Sequence, residues 1–318
     1  MIHMQNLHLK RPLEANKASQ YRGRFAPSPS GLLHFGSLIA ALASFLDAKS
    51  FVNEHGQQGK WLIRIEDIDR PREQQGASTA ILRTLEAFGL YWDETELYQS
   101  TQSQYYRDIL SSLSKQRLSY YCQCTRAEIK AIGGIYQSHC LNTNHPPQNS
   151  ALRIINRFGL HQFNDLFQGH VVCDKKLANE DFIIHRKDDL FAYQLAVVAD
   201  DIAQGITHVV RGCDLLEPTA RQLTLYQTLN NSFLKCNTPL FGHIPLAITG
   251  GGYKLSKQNK APAIDNDRPQ PSIIAALKFL GQSPKAELHS ASVEELIKWA
   301  INNWQRSSVP KVVEINID

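Results

Sequence analysis

Apolar residues in this chain fall into helical periods and short strand-like runs that alternate along its first third. Tyr21 to Ala26 leads into a Pro/Ser/Gly turn, and an Ala/Leu-rich pattern predicts a helix from about Gly36 to Lys49. Lys60-Trp61-Leu62-Ile63-Arg64-Ile65 reads as a short strand. Arg72 to Gly89 reads as an amphipathic helix with Ile81, Leu82, Leu85 and Phe88 on one face. Strand, glycine-containing turn, helix, strand, helix is the rhythm of a parallel sheet covered by helices, so the fold class is α/β. The rhythm breaks near Tyr120. Clustered cysteines, Gly133-Gly134 and a polar run from Asn142 to Ser150 then predict an inserted subdomain. The pattern resumes with a helix at Phe191–Ala203, a strand at Ile206–Val210, a helix at Leu216–Leu229 and a strand at Phe241–Leu246. Helical patterns at Ser272–Leu280 and Ser292–Asn303 close the chain. The expected organisation is a flexible extension (1–20), a first half-core (21–120), an insertion (121–180), a second half-core (181–260) and a short helical C-terminal region (261–318).

Composition changes this picture little. The 318 residues are 42% hydrophobic and 20% charged, the balance of an ordinary soluble domain. A net charge of +4 permits RNA contact without demanding it. The most apolar stretch, Leu32–Leu46, is interrupted by His34, Gly36, Ser37 and Ser44. It is too short and polar to span a bilayer, which needs about 20 apolar residues. Met1–Gln20 lacks the apolar core of a secretion signal, so a cytoplasmic location is expected. Six cysteines there read as thiols or metal ligands rather than disulfides.

Two short motifs carry candidate chemistry. In Arg24-Phe25-Ala26-Pro27-Ser28-Pro29-Ser30-Gly31-Leu32-Leu33-His34-Phe35-Gly36-Ser37, Gly31 and Gly36 let backbone approach a ligand, and a helix starting near Gly36 would aim its N-terminus at phosphates. His34 can donate to an oxygen that gains charge. Alone, the motif reads more simply as an ordinary strand-to-helix turn. Gly250-Gly251-Gly252 precedes Lys254-Leu255-Ser256-Lys257, a glycine-hinged loop able to close over a triphosphate; alone, it reads more simply as a solvated basic turn. Both motifs in this order, flanking an α/β chain, favour the phosphate reading.

The pair resembles the two ATP signatures of class I aminoacyl-tRNA synthetases, in the form found in glutamyl enzymes. The resemblance implies a Rossmann-type parallel sheet, split by the insertion, with ATP bound through His34, Gly36, Ser37, Lys254 and Lys257. His34, Lys254 and Lys257 are the expected catalytic residues. Two departures from the family patterns are visible: Ser37 stands for the second histidine of the first signature, and Gln258 for the last serine of the second.

Glutamate has two carboxylates and one ammonium, so its pocket needs cationic anchors and an anion. The family positions fall on Arg24, Phe25, Ala26, Pro27 and Ser28, on Glu66 for the ammonium, and on Tyr193 and Arg211. The competing reading is an internal ion-pair network among Arg24, Arg64, Glu66, Asp67 and Asp69. Asp200 and Asp201 are expected to be structural or helix-terminal.

Cys122, Cys124 and Cys140 suit tetrahedral zinc, which needs a fourth ligand. His139 is the ordinary choice by chemistry, and unligated buried thiols are the alternative to any metal. The spacing Cys-x-Cys, Tyr, Cys is similar to the zinc site of short glutamyl-synthetase paralogues, which implies Tyr136 instead, with one structural Zn²⁺ per chain. Cys173, Cys213 and Cys236 read as ordinary buried thiols.

The resemblance implies ATP with Mg²⁺, L-glutamate and a tRNA as partners, no membrane, and a monomer. Glutamate would be activated as its adenylate, without tRNA. The stretch from Lys257 to Asp318 is too short for an anticodon-binding domain of ~100 residues. That matches the paralogues that pass glutamate to queuosine in the anticodon loop of tRNA(Asp). A minimal enzyme charging the 3′ end of tRNA(Glu) is the alternative.

Overall fold

The computed structural model describes residues 20–249 and 262–318. Its core begins with β1 (Arg22–Phe25), a strand buried at all four positions although two are arginines. The turn after it feeds α1 (Phe35–Lys49), whose apolar residues Leu38, Ile39, Leu42, Phe45 and Leu46 are buried on several faces. A helix apolar on most sides needs cover on most sides. It receives it from β1 and β2 (Lys60–Ile65) and from helices contributed by the end of the chain. Gly59 is required where β2 begins, because a Cβ there would lie 2.2 Å from the Ala48 carbonyl oxygen.

The chain continues through α2 (Ala77–Ala87), β3 (Leu97–Tyr98), α3 (Ser103–Lys115), β4 (Ser119–Cys122), α4 (Arg126–Ala131), β5 (Ala151–Ile154), β6 (Gln162–Asp165) and β7 (Gly169–Val172). It then forms α5 (Lys175–Ala178), β8 (Ile183–His185), α6 (Tyr193–Ala203), β9 (His208–Gly212), α7 (Pro218–Ser232), β10 (Leu240–Ile244) and β11 (Leu246–Ile248). After residue 261 come α8 (Pro269–Phe279), α9 (Val293–Asn303) and β12 (Glu314–Asn316).

β1, β2 and β3 pair in parallel, with Arg22 opposite Lys60 and Phe25 opposite Ile63. β9 and β10 form a second parallel pair, extended by β6. Thr207 joins the two groups: its N–H donates to the Arg22 carbonyl at 2.9 Å, and its hydroxyl accepts the Arg22 N–H at 2.8 Å. The C-terminal ends of β1, β2, β9 and β10 therefore open on one cavity, where parallel α/β sheets bind ligands.

Several expected elements shift for identifiable reasons. The helix expected from Arg72 starts at Ala77, because Pro71 sits in a 3₁₀ turn and Gly76 takes a left-handed φ of +78° at the cap. The strand expected over Phe241–Leu246 breaks at Pro245, which has no N–H for a ladder. In the expected insertion, β5 pairs antiparallel with β4, which begins just before the insertion, and with β8, which lies just after it, while the β6–β7 hairpin joins the main sheet through β10. The C-terminal region is helical as expected, but it ends in β12, which pairs in parallel with β11. No helix among the described residues is long and apolar enough to cross a membrane.

Candidate active site and thiol cluster

The cavity at the strand ends measures about 490 Å³. Of the residues expected around an amino acid, Arg24, Phe25, Ala26, Ser28, Glu66, Tyr193 and Arg211 line it; His34, Gly36 and Ser37 of the expected nucleotide site line the same space. Pro27 does not line it. Its carbonyl instead accepts the Glu66 N–H at 3.0 Å and so sets where Glu66 stands. Arg72 and Asp214, which sequence reasoning did not select, also line the cavity. Gly212 keeps its β9 edge narrow: a Cβ would lie 2.7 Å from Asp214 Oδ1.

The buried charges resolve the competing ion-pair reading. Asp201 Oδ1 accepts Arg24 Nε at 3.1 Å and Arg64 Nη1 at 2.7 Å. Asp200 lies 3.8 Å from Arg64 and accepts the Tyr106 hydroxyl and the Gln99 amide. Asp67 and Asp69 pair elsewhere, with Ser100 and Arg72. The network is thus real, but its hydrogen-bonded anions come from α6, with Glu66 Oε1 also 3.8 Å from Arg64 Nε, and Asp200 and Asp201 have the structural role expected of them. Burial pushes Asp201 upward, yet Arg24 and Arg64 outweigh it and hold the carboxyl below its ordinary range. Burial raises Asp200 to about 7 against the pull of Arg64.

Glu66 Oε1 and Arg211 Nη1 are buried without a hydrogen-bond partner, although both side chains line the cavity. Burial raises the Glu66 carboxyl and lowers the Arg211 guanidinium, each disfavouring its own charge. Leaving such atoms without a hydrogen bond costs about 1–3 kcal/mol each, more when charged, so they suit a ligand carrying a cation and an anion.

In the same cavity, His34 caps α1, its Nδ1 accepting the Ser37 N–H at 3.3 Å. That bond leaves Nε2 as the protonated nitrogen of the neutral ring. The helix terminus and this ring together suit an anion. Lys254 and Lys257 lie outside the described residues. The chain leaves through β11, where Leu246 and Ala247 line the cavity, and Ala263 then bridges to His34.

The insertion brings Cys122, Cys124 and Cys140 together, their sulfurs within 4.8 Å of one another and Cys124–Cys140 at 3.5 Å. Thiolates at Zn–S distances around a tetrahedral ion would stand about 3.8 Å apart, so the trio fits such a metal. Cys122 ends β4, and a capping box of Thr125 and Glu128 starts α4 just beyond Cys124. Tyr136 is buried at the cluster; its hydroxyl oxygen accepts the Cys140 N–H at 2.9 Å, and Arg153 stacks 3.6 Å from its ring centre. His139 does not join the thiol group, its ring centre lying 5.7 Å from that of Tyr136. Cys173, Cys213 and Cys236 are free and outside the cluster.

Comparisons with known proteins place the chain in a family. Residues 20–318 match the family model for tRNA synthetases class I (E and Q), catalytic domain. A glutamyl-Q tRNA(Asp) synthetase of Colwellia psychrerythraea is 80% identical over 99% of this chain and 100% of its own length. One of Shigella flexneri is 53% identical over 94% of this chain and 93% of its own length. The glutamate-tRNA synthetase structure from Elizabethkingia anophelis shares the fold at a TM-score of 0.74 and 24% identity, covering 94% of this chain and 68% of that one. By motif, fold and family match together, the chain belongs to the class I tRNA synthetases of the E and Q type.

Proposed function

We propose that this protein activates L-glutamate with ATP, without tRNA, and transfers it to the queuosine base in the anticodon loop of tRNA(Asp). The observation that carries the reading is the end-to-end similarity to relatives named glutamyl-Q tRNA(Asp) synthetase, 80% and 53% identical and matched over 100% and 93% of their lengths. The cavity supports it, because Glu66 and Arg211 atoms that lack hydrogen-bond partners complement the ammonium and a carboxylate of an acidic amino acid.

In the first step the glutamate α-carboxylate attacks the α-phosphorus of ATP. The P–O bond to the β-phosphate breaks, giving glutamyl-adenylate and pyrophosphate. In the second, a hydroxyl of queuosine attacks the activated carbonyl, an ester forms, and AMP leaves. Arg24 and Arg211 hold carboxylates, Glu66 the ammonium, and Tyr193 adds a hydroxyl. His34 and the start of α1 meet the phosphates, with Gly36 and Ser37 allowing close approach. Lys254 and Lys257 belong to the segment between β11 and Ala263, both of which border the site, and neutralise the departing pyrophosphate; Mg²⁺ arrives with ATP. One structural Zn²⁺ sits on Cys122, Cys124, Cys140 and Tyr136, tying the insertion's chain crossings together. Residues 21–120 and 181–260 make the catalytic core, 121–180 the acceptor-facing insertion, and the enzyme works as a cytoplasmic monomer.

The test supplies labelled glutamate, ATP and Mg²⁺ with tRNA(Asp) that has or lacks queuosine. Label is expected only in the queuosine-containing tRNA. Equal labelling of both, or label at a 3′ end, overturns the reading in favour of 3′-end charging.

A further inference from the structure

Arg211 enters the cavity from β9, and buried side chains hold its guanidinium from behind. Nε donates to His243 Nε2 at 3.1 Å, while Nη2 donates to Thr219 Oγ1 and Gln222 Oε1 at 2.7 Å each. Every arginine nitrogen is a donor, so His243 Nε2 must present its lone pair. Thr219 does not compete for it, because its hydroxyl donates to the Leu215 carbonyl at 2.7 Å. The proton of the neutral ring is therefore on Nδ1, which lies 2.6 Å from Asp165 Oδ2. His243 and Asp165 side chains are both sealed from solvent. Asp165 cannot turn, because its Oδ1 accepts the N–H groups of Phe167, Gln168 and His243 at 2.9–3.0 Å. Burial and the neighbouring Arg211 lower the His243 pKa, in keeping with a neutral ring.

We propose that Asp165 and His243 are positioning residues for Arg211: the carboxylate locks the Nδ1–H tautomer, and His243 Nε2 then orients the guanidinium so that Nη1 meets a substrate carboxylate. This rests on the reading of the cavity as the glutamate pocket. It has a structural corollary. Asp165 ends β6, so a strand from the 121–180 stretch completes the amino-acid site.

Asp165→Asn tests it without changing volume. The three N–H groups keep the new amide's oxygen at the Oδ1 position. Its NH₂ then faces His243 Nδ1 and drives the ring proton to Nε2, against Arg211 Nε–H. In ATP–pyrophosphate exchange, KM for glutamate should rise about 10- to 100-fold, the scale of a lost hydrogen bond to a charged group. The KM for ATP should stay within about twofold, since Asp165 and His243 touch no phosphate. Long-range ¹H–¹⁵N spectra, with the His243 signal assigned by its loss in His243→Gln, should show Nδ1–H in the wild type and Nε2–H in Asp165→Asn. His243→Gln keeps an acceptor toward Arg211 and should retain glutamate binding. His243→Asn keeps only the donor toward Asp165 and should lose it. An unchanged glutamate KM in Asp165→Asn, or an Nε2–H ring in the wild type, overturns the proposal. If Asp165→Asn does not fold, equal KM values in the two His243 variants overturn it. A wild type that exchanges no pyrophosphate with glutamate overturns the underlying reading. The tautomer measurement needs no substrate and so separates the two failures.

Discussion

Arg24 Nε donates to Asp201 Oδ1 at 3.1 Å, and the same oxygen accepts Arg64 Nη1 at 2.7 Å. One buried carboxylate from α6 thus holds two guanidiniums, one of which lines the cavity. Removing it leaves uncompensated buried charge. Asp201→Ala should destabilise the protein by about 3–5 kcal/mol, measured by denaturant unfolding. Because the folded carboxyl lies below its ordinary value, this contribution is present above the unfolded pKa of about 3.9 and lost as pH falls through the folded one. A wild-type acid-unfolding limb that Asp201→Asn leaves unmoved would contradict the assignment.

Glu94 offers a second pH-dependent contact, at the opposite end of β1. It accepts both Arg22 terminal nitrogens at 2.8 and 2.9 Å and Lys60 at 2.9 Å, and these bonds lower its pKa from 4.5 to about 2. Stability from this site is present above pH 4.5 and disappears as pH falls toward 2. Glu94 is 36% exposed, so screening limits the effect to about 1 kcal/mol. Glu94→Gln should match the wild type near pH 2 and be less stable by that amount at pH 7, read from parallel urea titrations.

The thiol cluster predicts metal content. Purified protein should carry one equivalent of zinc, and a strong chelator should lower its melting temperature. Tyr136→Phe keeps the ring beneath Arg153 but removes the oxygen, and should weaken metal retention, whereas His139→Ala should leave it unchanged. Zinc loss confined to His139→Ala would exchange the two assignments.

Lys257→Ala should lower ATP–pyrophosphate exchange at least about 10²-fold, the scale of removing one charge-stabilising group. Glutamate binding, followed by calorimetry, should survive, because the amino-acid anchors are elsewhere. Normal exchange would remove Lys257 from the mechanism.

Much of the site was legible because its residues cluster in short motifs. Arg24 and His34 sit at the two ends of one turn, and Glu66 directly follows a recognisable strand, so the family resemblance could name them residue by residue. Residues acting at long range were not legible. Asp201 reads locally as one more polar residue of a helix, and His243 as one alternating position of a strand. Nothing near them in sequence announces Arg24, 177 positions away, or Arg211, 32 positions away. Asp165 was hidden for the same reason, since its strand lies in a stretch that reads as a separate insertion.

The sequence by itself determined the alternation of strands and helices, the phosphate-type turn before α1 and the thiol spacing, because each depends on residues within one or two turns of chain. Tertiary structure alone decided which charges neutralise each other and which are left for a ligand. It also decided that the C-terminal region would close over α1, with Arg306 reaching Asp47 across 259 positions and β12 pairing with β11. The physical reason is burial. A charged side chain's role depends on which partners share its low-dielectric surroundings, and only the folded chain assembles those.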